Sequence, residues 1–393
     1  MRPSNVWLAL AGLCWSGAAL SEPAPATNAP AAAPAAAPRY VSEDVQKSAE
    51  EAIAMGLNWL ASNQKENGSW SNEKYPALTA LPMWAFVRGE HPRRREVLNA
   101  ATTNLLKYVQ EDGGIYKKNM FTGGLSTYNT AICMTSLHAL RNPALAPVVL
   151  KARKFIAGSQ QLGSGDEYEG GFGYSPHPFI VHGDLQNTAA AVQAMRLTAD
   201  AEDLRPAGEK RVDIDWNATV KFIERLQNGP RTGEENAGGL AYKPGAAKAG
   251  TDVAKDGTVV LRSTGSMTYS GLLSLIYADL TRDDTRVRAA FQWATRHWTL
   301  DENPGVGDSG LYFYYSVLSR ALSAYGQGEI PLAQGRRVDW RTDLVKKIVA
   351  LQKIDAAGLK GHWVNDKSNS FWEGDAVLVT SYCVLVLETA IGK

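Results

Sequence analysis

The chain has 393 residues, 45% of them hydrophobic, and its 41 basic side chains nearly balance 40 acidic ones, for a formal net charge of +1. That balance leaves no electrostatic footprint for nucleic acid or an anionic membrane surface, while the hydrophobic fraction suffices for a large core. The sequence carries no Gly-x-Ser-x-Gly, His-Glu-x-x-His or phosphate-loop motif, so the common hydrolase, zincin and nucleotide signatures are excluded.

Residues 1–21 read as an export signal: Arg2 is the positive start, Val6 to Leu20 is apolar, and small residues precede a cleavage expected after Ser21. The apolar stretch is too short for a membrane span, and Leu13 is too bulky for lipid modification at Cys14. Residues 22–40, almost wholly Ala and Pro, read as a disordered linker. A periplasmic or extracellular location is therefore expected, with no integral membrane span after cleavage. Loss of the leader leaves Cys133 and Cys383, both inside apolar helical runs, and buried free thiols are expected rather than a disulfide.

From Val41 onward one unit repeats: a helix, a glutamine, a glycine-rich turn with an aromatic, a polar cap and a second helix. In the first unit a helix with Ala52, Leu57 and Leu60 stops near Gln64, Gly68-Ser69-Trp70 turns, and Pro76 opens a helix in which Pro82 is expected to kink or delay the start. The second unit has Gln110, the turn Gly113-Gly114-Ile115-Tyr116, and a helix capped at Ser126-Thr127. The third has Gln160-Gln161, the turn Gly170 to Tyr174, and a small-residue helix after Asp184-Leu185-Gln186-Asn187-Thr188. His177, His182 and Asp184 share a loop there, read as solvated rather than as a metal site. The fourth unit has Gln227 and Gly238-Gly239-Leu240, and is interrupted by residues 243–265, whose β-like Thr258 to Leu261 suggests a hairpin or flap. The fifth lacks the glutamine and turns at Asn303-Pro304-Gly305, with Asp308-Ser309 as the expected cap; the sixth has Gln352, Gly361-His362-Trp363 and Asp375.

Six such hairpins, none able to bury both faces alone, predict an all-α (α/α)6 toroid occupying residues 41–393 as one domain. The second helices, apolar and rich in small residues, should form the inner ring. The first helices, carrying Lys107, Lys151, Lys154, Lys221 and Lys346, should form the outer one.

The pairs Gln64 with Trp70, Gln110 with Tyr116, Gln161 with Phe172, Gln227 with Leu240 and Gln352 with Trp363 resemble the degenerate Gln-Trp repeats of the squalene cyclase and protein prenyltransferase β-subunit superfamily. The resemblance implies the terpenoid-cyclase-like toroid. It also implies two chemistries, which can be checked by residue. The class II cyclase acid motif is matched by Asp184, Thr188 and Ala189, but Gln186 stands where the proton donor would be, and an amide cannot protonate an alkene. The prenyltransferase zinc site is matched at Asp308 alone, with Gly310 and Val379 in the places of the Cys and His. Neither zinc nor any other cofactor is expected.

Asp184, Asp308 and Asp375 precede inner helices and read as N-caps, with Ser126 and Ser266 as neutral counterparts, an environment expected to lower the Asp184 pKa. Parallel inner helices bring these starts to one rim. A cavity is expected there, lined by Tyr128, Asp184, Asn187, Tyr269, Asp308 and Tyr312 and coverable by residues 243–265. The reading is an exported protein that binds an apolar, isoprenoid-like or ring-shaped ligand. The alternative is an enzyme on the same rim, terpenoid-cyclase-like or carbohydrate-cleaving, with Asp184 as the candidate catalytic group. The expected partner is a small apolar or sugar-like molecule.

Overall fold

The structure, a computed structural model, describes residues 40–119, 123–176, 182–254, 256–332 and 335–393. The leader, all of the Ala/Pro linker except Tyr40, and His177 lie outside the described residues.

Twelve α-helices are described: α1 Glu43–Ser62, α2 Ala77–Arg88, α3 Arg94–Leu106, α4 Ser126–Ala139, α5 Ala146–Gly158, α6 Leu185–Leu197, α7 Trp216–Leu226, α8 Gly265–Tyr277, α9 Thr285–Arg296, α10 Leu311–Tyr325, α11 Trp340–Ala350 and α12 Ala376–Ile391. The even-numbered helices pack in sequence, and α12 packs back on α2, so they close an inner ring. The odd-numbered helices lie outside it. The chain is therefore an (α/α)6 toroid.

Burial follows the sequence pattern. On α7 the buried residues Thr219, Val220, Phe222, Ile223 and Leu226 form one stripe, as an outer helix with a solvent face requires. On α12 nearly every residue from Val377 to Ile391 is buried, as an inner helix requires. Pro82 lies inside α2, which continues through it. None of the helices among the described residues is long and apolar enough to cross a membrane.

The repeated turn is a hydrogen-bonded joint between neighbouring units. Gln64 Nε2 donates to Gly68 O of its own turn and to Val97 O of the next outer helix, each at 3.1 Å. Gln227 does the same with Gly238 O and Arg286 O, at 3.0 and 2.9 Å. In the third unit the joint is made by Gln160 rather than Gln161: its amide reaches Gly170 O and Asp215 O, and its oxygen accepts from Asp215 N. The glycines follow from this close approach. Gly170 has φ +88°, and a Cβ there would sit 2.0 Å from Ala218 O on the next outer helix. Gly68, Gly113 and Gly238 face the backbone of the following outer helix in the same way.

A second recurring element escaped the sequence reading. In five of the six units the N–H of the residue that enters the core from the turn donates to a threonine hydroxyl on the inner helix: Trp70 to Thr79, Ile115 to Thr130, Phe172 to Thr188, Leu240 to Thr268 and Trp363 to Thr380, at 2.8–3.3 Å. A buried N–H at the end of a turn needs an acceptor, and threonine supplies one within a helix.

The last unit docks on the first. Gln352 Nε2 donates to Ala52 O at 2.9 Å, Asn58 donates to Leu359 O at 2.9 Å, and fully buried Trp363 packs against Gly56. Among the described residues strand is confined to three two-stranded antiparallel hairpins: β1 Thr251–Val253 with β2 Val259–Leu261, β3 Glu329–Pro331 with β4 Arg337–Asp339, and β5 Lys353–Ile354 with β6 Gly361–His362. The first is a hairpin within residues 243–265, where a hairpin or flap was expected. The second, between units five and six, carried no clear strand pattern. Cys133 on α4 and Cys383 on α12 are buried and unpaired with each other.

Candidate functional site

The starts of the inner helices gather at one rim, held there by a circular set of bonds in which each unit serves its predecessor. Ala77 N at the start of α2 donates to Asn129 Oδ1 of unit two, and Thr127 N of α4 donates to Tyr174 O of unit three. Leu185 N of α6 donates to Tyr242 O of unit four, and Ser266 N of α8 donates to Asn303 Oδ1 of unit five. Phe313 N of α10 donates to Glu373 Oε1 of unit six at 2.7 Å, and Ser71 of unit one donates its hydroxyl to Asp375 ahead of α12. One otherwise orphan amide at the start of each of α2, α4, α6, α8 and α10 is thus taken up by the next unit.

Inside the ring lie two adjoining chambers that share the wall residues Leu81, Tyr128, Gln186, Phe313 and Tyr382. The upper chamber has a volume of about 340 Å³ and is completed at the rim by Tyr75, Leu125, Tyr174, Lys248, Phe371 and Trp372. Trp372 is 43% exposed, so the chamber meets solvent there. The lower chamber, of about 50 Å³, is bounded near the other ends of the inner helices by Arg88, Gln193, Ser316, Arg320 and Thr389. Among the described residues the wall contains no Asp or Glu.

The rim is built from strained backbone and stacked rings. Leu125, Phe371 and Trp372 have φ of +52°, +59° and +63°, conformations that cost roughly 1–3 kcal/mol each in non-glycine residues and persist only where surrounding structure enforces them. Phe371 stacks on Phe313 at 5.5 Å between centroids, and Trp372 meets Tyr75 edge-on at 4.3 Å. Lys248, delivered by the insertion ahead of β1, places its ammonium 3.6 Å from the Phe371 ring centroid and 4.5 Å from that of Tyr242. The residue as a whole is exposed, but the atoms crowding its ammonium desolvate it and push its pKa down to about 8 against the opposing pull of Asp184.

The expected site residues divide. Tyr128 is in the wall of both chambers. Asp184 N-caps α6 and is tied to buried Asn187, whose N–H reaches Oδ1 at 2.9 Å and whose amide reaches Oδ2 at 2.7 Å. Both sit behind the wall. The cap does not lower the Asp184 pKa as expected: burial outweighs the hydrogen bonds and raises it to about 6. Tyr269 packs against Tyr314, and Tyr312 stands edge-on to Tyr315; both are buried, and neither lines a chamber. Asp308 pairs with Lys367 at 3.2 Å away from the cavity, and does not cap α10. Gly310 occupies that cap position, and Glu373 supplies the acceptor, with burial raising its pKa to about 7. Neither Ser126 nor Ser266 is a cap: Leu125 precedes α4 without a side-chain bond, and Thr264 caps α8. Asp375 does cap α12. The described residues contain no cluster of groups able to hold a metal ion.

Sequence reasoning missed the residues that do form the wall: Gln186, Phe313, Phe371, Trp372, Lys248, Arg88 and Arg320. Of these, Gln186 had a signal, because it stands at the position where the resembled cyclases place their acid. That position faces the cavity, and an amide occupies it.

No protein-family model and no curated protein sequence matches the chain. Solved structures do. The type II terpene cyclase MstE from Scytonema is similar with a TM-score of 0.54 and 12% identity, over 88% of this chain and 99% of that one. An α-1,6-mannanase from Salegentibacter is similar with a TM-score of 0.51 and 11% identity, over 88% and 99%. An α-amylase from Clostridium perfringens is similar with a TM-score of 0.51 and 12% identity, over 86% and 98%. At such identity these define the fold, the α/α toroid of terpenoid cyclases and of several sugar-cleaving enzymes.

Proposed function

We propose that this chain is an exported toroid, one domain over residues 41–393 preceded by a leader (1–21) and a linker (22–40), whose central cavity binds a predominantly apolar ligand without cyclising it. One observation carries the reading. The wall at the cyclase-acid position is Gln186, and no carboxylate lines either chamber among the described residues. The upper chamber is of the size and aromatic character that suits an isoprenoid or a fused ring. Solved neighbours of this fold hold both isoprenoid-bearing and sugar ligands, MstE with geranylgeranyl dihydroxybenzoate and the mannanase with α-1,6-mannotetrose.

A second reading is favoured by a specific chain of groups. Asp184, with its pKa near 6, contacts Tyr242, whose hydroxyl lies 3.3 Å from that of Tyr174 in the upper wall. Such a relay could pass a proton to the cavity. Incubating purified protein with squalene and shorter polyprenyl substrates separates the two. The binding reading expects substrates to be recovered unchanged. Cyclised product from wild type, lost in Asp184→Asn, would overturn it.

A further inference from the structure

The chain as a whole is nearly neutral, with 41 basic and 40 acidic side chains. Its cavity is not. Arg88, Lys248 and Arg320 are wall residues, and no acid stands among the described residues of the wall to match them. The three cations differ in what compensates them. Lys248 feels the charge of Asp184, and Arg88 Nε lies 3.8 Å from Glu388, an acid that burial keeps protonated up to about pH 8 and that offers little negative charge below it. Arg320 has neither. It donates to Ser316 O at 2.9 Å, to the Ser316 hydroxyl at 3.3 Å and to the Gln193 side-chain oxygen, all uncharged acceptors. Its charged neighbour is another cation, Arg88, and the remaining groups acting on it are the phenols of Tyr128, Tyr277 and Tyr382. A desolvated guanidinium held by neutral acceptors beside a like charge lacks the compensation that a counter-ion gives a buried cation. An anion entering the cavity would restore that.

We propose that the ligand carries an anionic group, a carboxylate or a phosphate, seated on Arg320 in the lower chamber, with its apolar body in the upper chamber among Tyr128, Phe313 and Tyr382. The inference rests on the ligand-binding reading above and specifies the polarity and orientation of the ligand. The chambers fit that division of labour. The lower one, of about 50 Å³, has room for a few water-sized groups, enough for a headgroup and too little for a ring. The upper one, of about 340 Å³, takes the hydrocarbon. Serine, glutamine and threonine around Arg320 supply further polar contacts, and a guanidinium fork matches the paired oxygens of carboxylate and phosphate.

The test is calorimetric titration of the mature protein with farnesol, farnesoic acid and farnesyl monophosphate, and with dodecanol and dodecanoate. Wild type should bind at least one acid or phosphate about tenfold or more tightly than the alcohol of the same chain. In Arg320→Met that preference should fall to within about twofold while alcohol binding is kept, and Arg320→Lys should recover part of it. The acid-to-phosphate ratio in wild type identifies the headgroup. Equal binding of alcohol and anion by wild type overturns this inference and leaves the ligand-binding reading standing. Binding of no member of either series overturns that reading as well. A preference retained in Arg320→Met but lost in Lys248→Met puts the headgroup at the rim and refutes the placement. The wild-type comparison stands whether or not the Arg320 variants fold.

Discussion

Glu388 offers a sharp test of how this interior treats charge. It lies on α12, wholly buried, and neither carboxyl oxygen has a hydrogen-bond partner. Its nearest counter-charge, Arg88 Nε, is 3.8 Å away. Burial dominates, and the pKa is pushed from the ordinary 4.5 up to about 8. The folded state therefore holds this proton more tightly than the unfolded state does. Below pH 4.5 the group is protonated in both states and costs nothing by ionisation. As pH rises from 4.5 to 8 the unfolded chain gains by ionising while the folded one does not, so stability falls across that window. The full penalty is about 3–5 kcal/mol at the alkaline end. Asp184 and Glu373, also raised, slope the same way, so the wild-type curve alone does not isolate the residue. Glu388→Gln does. Gln stays neutral, and its own unsatisfied amide costs a pH-independent amount. Urea unfolding at intervals from pH 4.5 to 9 should give a wild-type minus variant difference that shifts by about 3–5 kcal/mol in favour of the variant. Parallel curves would refute the argument and show that Glu388 ionises freely in the folded state.

Trp363→Ala removes a fully buried ring at the closure of the toroid, together with its bond to Ile348 O, and should cost about 3–5 kcal/mol in urea unfolding; a loss below about 1.5 would mean that the last unit does not close on the first. Glu202→Gln leaves buried Arg153 without its counter-charge and turns an amide NH2 toward one of two donors, Arg153 Nε or Val212 N, so it should cost about 3–5 kcal/mol, seen as a lower urea midpoint. Gly170→Ala should destabilise by more than about 2 kcal/mol, since strain at φ +88° adds to the collision with Ala218 O; an unchanged melting temperature would contradict the joint. Denatured, unreduced protein produced without residues 1–39 should titrate two thiols, Cys133 and Cys383, and finding none would contradict their unpaired state.

The sequence by itself determined the ring. Glutamine, glycine and an aromatic recurring between helical runs describe local joints, and each joint is made mostly by residues close in sequence or one unit apart, as at Gln64, Gly68 and Val97. Such contacts repeat, so the pattern is legible even where single units drift, as in the use of Gln160 instead of Gln161. Helix amphipathicity likewise separates outer from inner helices without any tertiary information. The cavity was legible only in part. Tyr128 and the failed acid at Gln186 could be located from one helix, but Tyr269, Tyr312 and Asp308 were placed by helix position alone. A rotation of one residue on an α-helix is about 100°, enough to carry a tyrosine from wall to core. The aromatic rim at Phe371 and Trp372 depends on left-handed backbone that no local residue preference announces. The pairing of Lys248 with rings from units four and six depends on contacts across the ring. The same holds for the Asp184 pKa: a cap read from sequence lowers it, and the burial that raises it to about 6 is a property of the assembled toroid. Closure of the ring decided which side chains face a common space and which charges lost their water, because both depend on residues hundreds of positions apart.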